Sequence, residues 1–307
     1  MKKTTKILFI ILFNLIIIFL EVVFGIISNS FSLITDALHN TGDVIAIAIT
    51  YIALVFGSKQ TTFKYTFGFL KAEMMAAFVN TLFLFVTMFY MIYEATLRFM
   101  NPEIIEPIYM INIGIIAIIA NGISAYILSK MHLSSCSTHN HEKKHQHQED
   151  ANIKSAYLHM LSDTLISVGV VLAGIFIYYF QIYYIDSLLT IIFSLYILSH
   201  SYPLLKKSFL SLMDINITDI SKEQLDDIII NSNEEIIQYH DLHIHKPSSK
   251  HNFISFHIVL KDNYKTLHDI EILTNKIKTN LEQHHFNHIL IQIDSQKYLA
   301  NDINCNI

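Results

Sequence analysis

The sequence predicts an α-helical membrane protein with six transmembrane helices in residues 1–213, followed by a cytoplasmic α+β domain in residues 214–307. That domain has the order αββαβ, ferredoxin- or metallochaperone-like. Three observations predict this architecture. The chain of 307 residues is 52% hydrophobic and only 15% charged, too apolar for an ordinary soluble protein. The apolar residues are segregated: blocks of Ile, Leu, Phe, Val and Ala fill the chain to about residue 212, and a polar mixture rich in Lys, Asp, Glu and His follows. The apolar blocks run to about 20 residues each, the length at which a helix crosses a bilayer.

The first block covers residues 7–27, behind Lys2, Lys3 and Lys6. It is longer than the apolar core of a signal peptide and lacks a small-residue cleavage site. Asn14 and Glu21 lie within it, so one of its faces should meet other helices. A polar link, Ser28-Asn29-Ser30, leads to a second span over residues 32–56. It carries Asp36, His39 and Asp43. The loop at 57–71 holds Lys59, Lys64 and Lys71, and a third span follows at 72–93. Arg98, Glu103 and Glu106 mark the next link. The fourth span covers 108–128, interrupted by Asn112, Asn121 and Gly122. A hydrophilic loop at 130–154 precedes a fifth span at 153–180, where Gly169 and Gly174 would let a neighbouring helix pack closely. The link at 181–186 is short, and a sixth span covers 187–205. Lys is concentrated at the N-terminus and in the loops after spans two, four and six. The positive-inside rule therefore puts both termini, the 130–154 loop and the soluble half in the cytoplasm.

In the soluble half, residues 222–233 read as an amphipathic helix. Residues 236–245 and 252–260 alternate as strands around the turn Lys246-Pro247-Ser248-Ser249-Lys250. Leu267, Ile270, Leu273, Ile277 and Leu281 form a helical stripe over 266–284. Residues 287–294 form the last strand, and this order suggests a small sheet with helices on one face. The net charge of −5 argues against a nucleic-acid partner. Cys136 and Cys305 are far apart and fit a reducing compartment.

Histidine placement carries the chemistry. His39 and Asp43 stand four residues apart in the second span, and His159 and Asp163 repeat the spacing in the fifth. An i, i+4 pair shares one helix face. Two such faces together offer two imidazoles and two carboxylates, a donor set suited to a divalent metal and to tetrahedral zinc first. Ionisable groups at that depth are costly and mark function. In the 130–154 loop, His139, His141, His145 and His147 form a tract of the kind that captures metal loosely. In the soluble half, His240, His257, His268 and Asp294 offer a second His/carboxylate cluster. The string His141-Glu142-Lys143-Lys144-His145 matches the metalloprotease pattern, but it lies in a polar loop without an apolar face. Nothing there builds a dry catalytic site, so no enzyme is expected.

These features resemble the cation diffusion facilitator family, nearest its zinc-exporting branch that handles zinc and cadmium. The resemblance rests on six spans, the paired His-x-x-x-Asp, the His-rich loop and the αββαβ domain. It rests also on Ser32-Leu-Ile-Thr-Asp-Ala-Leu-His39, Tyr65-Thr-Phe-Gly68 with Lys71-Ala-Glu73, and His240-Asp-Leu-His243. It implies a homodimeric antiporter that exports cytoplasmic zinc in exchange for protons by alternating access, with His39, Asp43, His159 and Asp163 as the transport site. It implies a charge interlock at Lys71 and Asp214 near the dimer's cytoplasmic membrane surface. It implies a cytoplasmic metal cluster, open to a regulatory role, at His240, His257, His268 and Asp294. Gln292 stands where some members have His, which argues against a full binuclear site. Tyr65 and Phe69 stand where some members carry a further site, and neither is a zinc ligand. The competing expectations are another divalent cation (cadmium, cobalt, nickel, manganese or iron) or a membrane-anchored metal sensor without transport. No organic cofactor is expected, and a bacterial inner membrane is the expected setting.

Overall fold

The computed structural model describes the backbone of residues 3–57, 61–135, 143–261 and 266–298, and the side chains of residues 14–45, 61–126, 161–261 and 266–297. Among these residues there are six long helices: α1 Lys3–Ser28, α2 Phe31–Gly57, α3 Ala72–Met100, α4 Pro107–Ser135, α5 Lys143–Phe180 and α6 Tyr184–Leu212. Each corresponds to one predicted span, and five overrun an expected end by four residues or more. Four stretches among the described residues are long and apolar enough to cross a membrane: Ala72–Met100, Pro107–Tyr126, Leu161–Phe180 and Tyr184–Leu212. A shorter apolar stretch covers Asn14–Ser28. The chain divides into two compact units, residues 1–48 with 80–202, and residues 49–79 with 203–307.

In the first unit, α4 packs along α5 and α1 along α4. The core between them is built from Leu33, Met110, Ile113, Ile166, Val170, Ala173, Ile177 and Phe193. Small residues set the separation. A Cβ added at Gly114 would meet Val171 Cγ2 at 2.6 Å, and one at Gly174 would meet Ile111 Cγ1 at 2.8 Å. These two glycines face each other's helix, so the backbones of α4 and α5 approach where no side chain intervenes. Gly169 and Gly174 therefore serve the close packing expected of them, Gly169 lying against Phe193.

The α1–α2 corner is held by polar groups. Asn29 adopts φ 60° just past the end of α1. Its N–H donates to the Ile26 carbonyl and that of Ser30 to the Gly25 carbonyl, the bond pair of a Schellman motif. Asp186, fully buried at the start of α6, accepts from the N–H groups of Phe31 (2.7 Å) and Ser32 (3.2 Å) and from both Ser hydroxyls. An anion there satisfies orphan donors and faces the positive end of α2. Arg98 donates to the Asn29 carbonyl and Oδ1, each at 2.6 Å, and pairs with Glu103 at 2.7 Å. Its guanidinium lies 3.7 Å from the Phe31 ring centroid. Hydrogen bonds from Asn29, then the Arg98 charge, hold the Glu103 carboxyl below the usual carboxylate range.

In the second unit, α7 (Lys222–Ile229), β1 (Ile236–His245), β2 (Asn252–Leu260), α8 (Leu267–Gln283) and β3 (Phe286–Asp294) give the predicted αββαβ order. A 3₁₀ turn, Ile230–Ser232, completes the first predicted helix. Both α-helices start in a capping box, Ser221 with Gln224 and Thr266 with Asp269. The sheet order is β1-β2-β3, with β1 antiparallel and β3 parallel to β2. Helix residues Leu225, Ile229, Leu273, Ile277 and Leu281 bury one sheet face with Tyr239, Ile254, Phe256 and Ile258. Burial pushes the Tyr239 phenol above its ordinary range, and its hydrogen bond to Asp226 adds to the effect.

Candidate metal centres

In the membrane unit, α2 carries His39 and Asp43 and α5 carries Asp163. His39 and Asp163 are buried and Asp43 is about one-third exposed. His39 Nε2 lies 3.6 Å from Asp43 Oδ2 and 3.8 Å from Asp163 Oδ1. Two carboxylates from separate helices thus approach one imidazole nitrogen at distances too long for hydrogen bonds. A tetrahedral ion with ligand bonds of about 2.0–2.2 Å spaces its donors roughly 3.3–3.6 Å apart, close to these separations. His159 belongs to α5, but its side chain lies outside the described residues.

In the second unit, strand register builds another cluster. His240 pairs with His257 across β1–β2, and His257 with Gln292 across β2–β3, while Val259 pairs with Asp294. Tyr239, Phe256 and Ile258 point into the helix-covered core, so alternation places His240 and His257 on the opposite face. Ligand atoms of His240, His257 and Asp294 all lie within 4.8 Å of one another. Asp294 Oδ2 is 2.9 Å from His257 Nδ1 and 3.4 Å from His240 Nε2. Burial pushes the Asp294 carboxyl up, but hydrogen bonds from Gln292 and His257 outweigh it and hold it below the usual range. A charged carboxylate between two imidazoles fits a borderline divalent cation.

His268 is not brought to this cluster; it is exposed in the first turn of α8. Gln292 donates to Asp294 Oδ1 at 3.0 Å and so orients the carboxylate without itself supplying an imidazole. Sequence reasoning missed Asp241. Register slips by one residue between His240 and His243, and Asp241 takes φ 54° there, a β-bulge with a left-handed residue. The bulge brings the Asp241 carboxylate 3.3 Å from His257 Nε2 and 3.4 Å from His243 Nε2. The only signal in the sequence is an acidic residue beside His240, and side-chain alternation alone would have turned it away.

Lys71 Nζ contacts both carboxylate oxygens of Asp214, at 2.7 and 2.8 Å, within the second unit. Tyr65 and Phe69 pack ring to ring at 5.1 Å between centroids. His139 and His141 lie outside the described residues, as do the side chains of His145 and His147 in the N-terminal part of α5.

A membrane bundle with an acidic-imidazole centre, joined to an αββαβ domain with another, defines a metal-handling membrane protein. The chain belongs to the cation efflux family. The family model described as "Cation efflux transmembrane domain" matches residues 7–213, and "Cation efflux protein, cytoplasmic domain" matches residues 219–296. A "Cadmium, cobalt and zinc/H(+)-K(+) antiporter" of Bacillus subtilis is 33% identical over 97% of this chain and 90% of its own length. The "Metal cation efflux system protein CzcD" of Cupriavidus metallidurans is 30% identical over 89% of this chain and 81% of its own. The "Zinc transporter ZitB" of Escherichia coli is 28% identical over 93% and 86%. The resemblance drawn from the sequence motifs is thereby borne out.

Proposed function

We propose that the chain is a proton-coupled zinc exporter, an antiporter of the cytoplasmic membrane that works by alternating access. The observation that carries this reading is the approach of Asp43 and Asp163, from two helices, to Nε2 of His39. His159, one turn before Asp163 on α5, supplies the fourth ligand. A free imidazole titrates near pH 6.5, so protons and zinc compete for such a site across the physiological range. Protonation on the acidic side releases the ion, and the protonated site returns to the cytoplasmic side. All six long helices span in this reading, residues 1–213 form the membrane part and residues 214–307 the cytoplasmic part. Both termini are cytoplasmic, and the chain acts as a homodimer. The cytoplasmic-domain family that residues 219–296 match, and the names of the antiporter and zinc-transporter relatives, support this. The cluster at His240, His257 and Asp294 acts as a cytoplasmic metal sensor, and Lys71 with Asp214 forms a charge interlock near the dimer's cytoplasmic membrane surface.

Cadmium and cobalt belong in the same test, since the Bacillus subtilis relative is named for both. Zinc uptake into proteoliposomes under an imposed pH gradient, wild type against Asp163→Ala, decides the matter. Loss of a direct ligand should cost more than the roughly 10–100-fold that outer-shell changes cost in metal affinity or activity. Equal flux in the two proteins would remove Asp163 from the site. Absence of zinc flux in both, with zinc still bound, would make the chain a sensor.

A further inference from the structure

Two buried carboxylates in the membrane unit lie outside the set of candidate ligands. Glu21 on α1 and Asp36 on α2 are 0% and 1% exposed. One amide bridges them: Asn40 Nδ2 is 3.2 Å from Glu21 Oε2 and 3.4 Å from Asp36 Oδ1. Ser167 Oγ on α5 is 3.4 Å from Asp36 Oδ2 and donates to the Asp163 carbonyl at 3.0 Å. Glu21 Oε1 is buried with no hydrogen-bond partner among the described residues. The charged groups acting on Asp36 are Glu21 and Asp163, and Asp163 also acts on Glu21. His39 and Asp43 are the other titratable groups of α2 in this region. The described side chains of α4 include no acidic or basic residue. In this unit Arg98 is the only lysine or arginine whose side chain is described, and it is engaged by Asn29 and Glu103.

Two buried carboxylates sharing one donor cannot both be ionised cheaply. With no lysine or arginine among the described side chains beside them, protons are what neutralises them. A dication at His39, Asp43 and Asp163 is already balanced by its two carboxylates, so Glu21 and Asp36 are surplus to the ligand set. We propose that Glu21 and Asp36 form a proton-carrying pair, distinct from the metal ligands, that gives up its proton when the dication arrives and takes it back when the ion leaves. The ion's positive field, reaching Asp36 through the Ser167 contact with the Asp163 helix, favours ionised carboxylates. The proton passes from a carboxyl oxygen to water. The proton that leaves the pair offsets one of the two positive charges that the dication brings.

This rests on the placing of the ion at His39 and Asp163, and the two ideas fail separately. The full-length protein carrying His240→Ala, to silence the cytoplasmic cluster, would be studied in detergent with zinc as probe. Its zinc-induced infrared difference spectrum should show loss of the carbonyl band of a protonated carboxylic acid. Glu21→Gln/Asp36→Asn should abolish that loss and release roughly one proton fewer per zinc by pH-indicator titration, while still binding the ion. No band loss in the parent protein, or an unchanged proton count in the double variant, overturns the proposal. So does a double variant that no longer binds zinc, because the pair would then belong to the ligand set. The infrared test on the parent protein does not depend on whether the variant folds. His39→Ala tests the site itself: it should lose the membrane ion while the protonated-carboxyl band remains.

Discussion

At the residue scale the second metal cluster is the clearest case. Asp294 is one carboxylate with two jobs: Oδ2 faces His257 and His240, and Oδ1 accepts from Gln292. Asp294→Asn removes the only negative ligand of the three and should weaken zinc binding there by more than tenfold, measured by calorimetry on the full chain. Gln292→His puts an imidazole where an amide now holds Oδ1. The carboxylate could then bridge two ions, and zinc bound per chain should rise by about one. An unchanged stoichiometry would show that Asp294 cannot be shared. Strand alternation made His257 and His240 legible in advance, because both need only the period of two. Asp241 was not legible, since its direction depends on a bulge. Nor was the displacement of His268, whose helix was foreseen but whose distance from the sheet row was not.

At the element scale the boundaries of β1 and β2 coincide with those expected, and α7, α8 and β3 differ at their ends by a few residues or a 3₁₀ turn. Turn residues and capping boxes mark those ends in the sequence. The six long helices run longer than their apolar blocks, because a helix continues into polar residues wherever its backbone bonds can propagate. Glycine positions carried real information: the α4–α5 contact depends on Gly114 and Gly174. Gly114→Ala should cost about 1–3 kcal/mol through overpacking against Val171, offset in part by alanine's better helix propensity. Thermal unfolding in detergent would read the loss, and Val171→Ala in the same chain should recover it. Without that recovery, the close approach is not what the glycine serves. Glycine is absent where it is commonest: α1 and α6 end on Asn29 and Asp214 in the left-handed region. Their polar side chains are used at once, Asn29 by Arg98 and Asp214 by Lys71, which explains why a residue with a side chain stands there.

At the scale of the whole molecule, the long membrane helices, the small sheet domain and the family were readable from segregation of apolar residues and repetition of one His–Asp spacing. The second ring of carboxylates behind the ligands was not, since Glu21 and Asp36 become neighbours only when α1 meets α2. The lack of any lysine or arginine beside them among the described side chains has an electrical consequence. Driving a bare dication outward against an inside-negative potential costs about 4.6 kcal/mol per 100 mV, twice the roughly 2.3 kcal/mol of a single charge. Where no described cation balances these buried acid groups, the empty carrier returns with its charge made up by protons. If two protons return for each ion, a cycle moves no net charge, and zinc flux in vesicles should be the same at zero and at imposed potential. The cell's voltage would neither help nor hinder such a carrier, and the pH difference alone would set how far it can lower the metal.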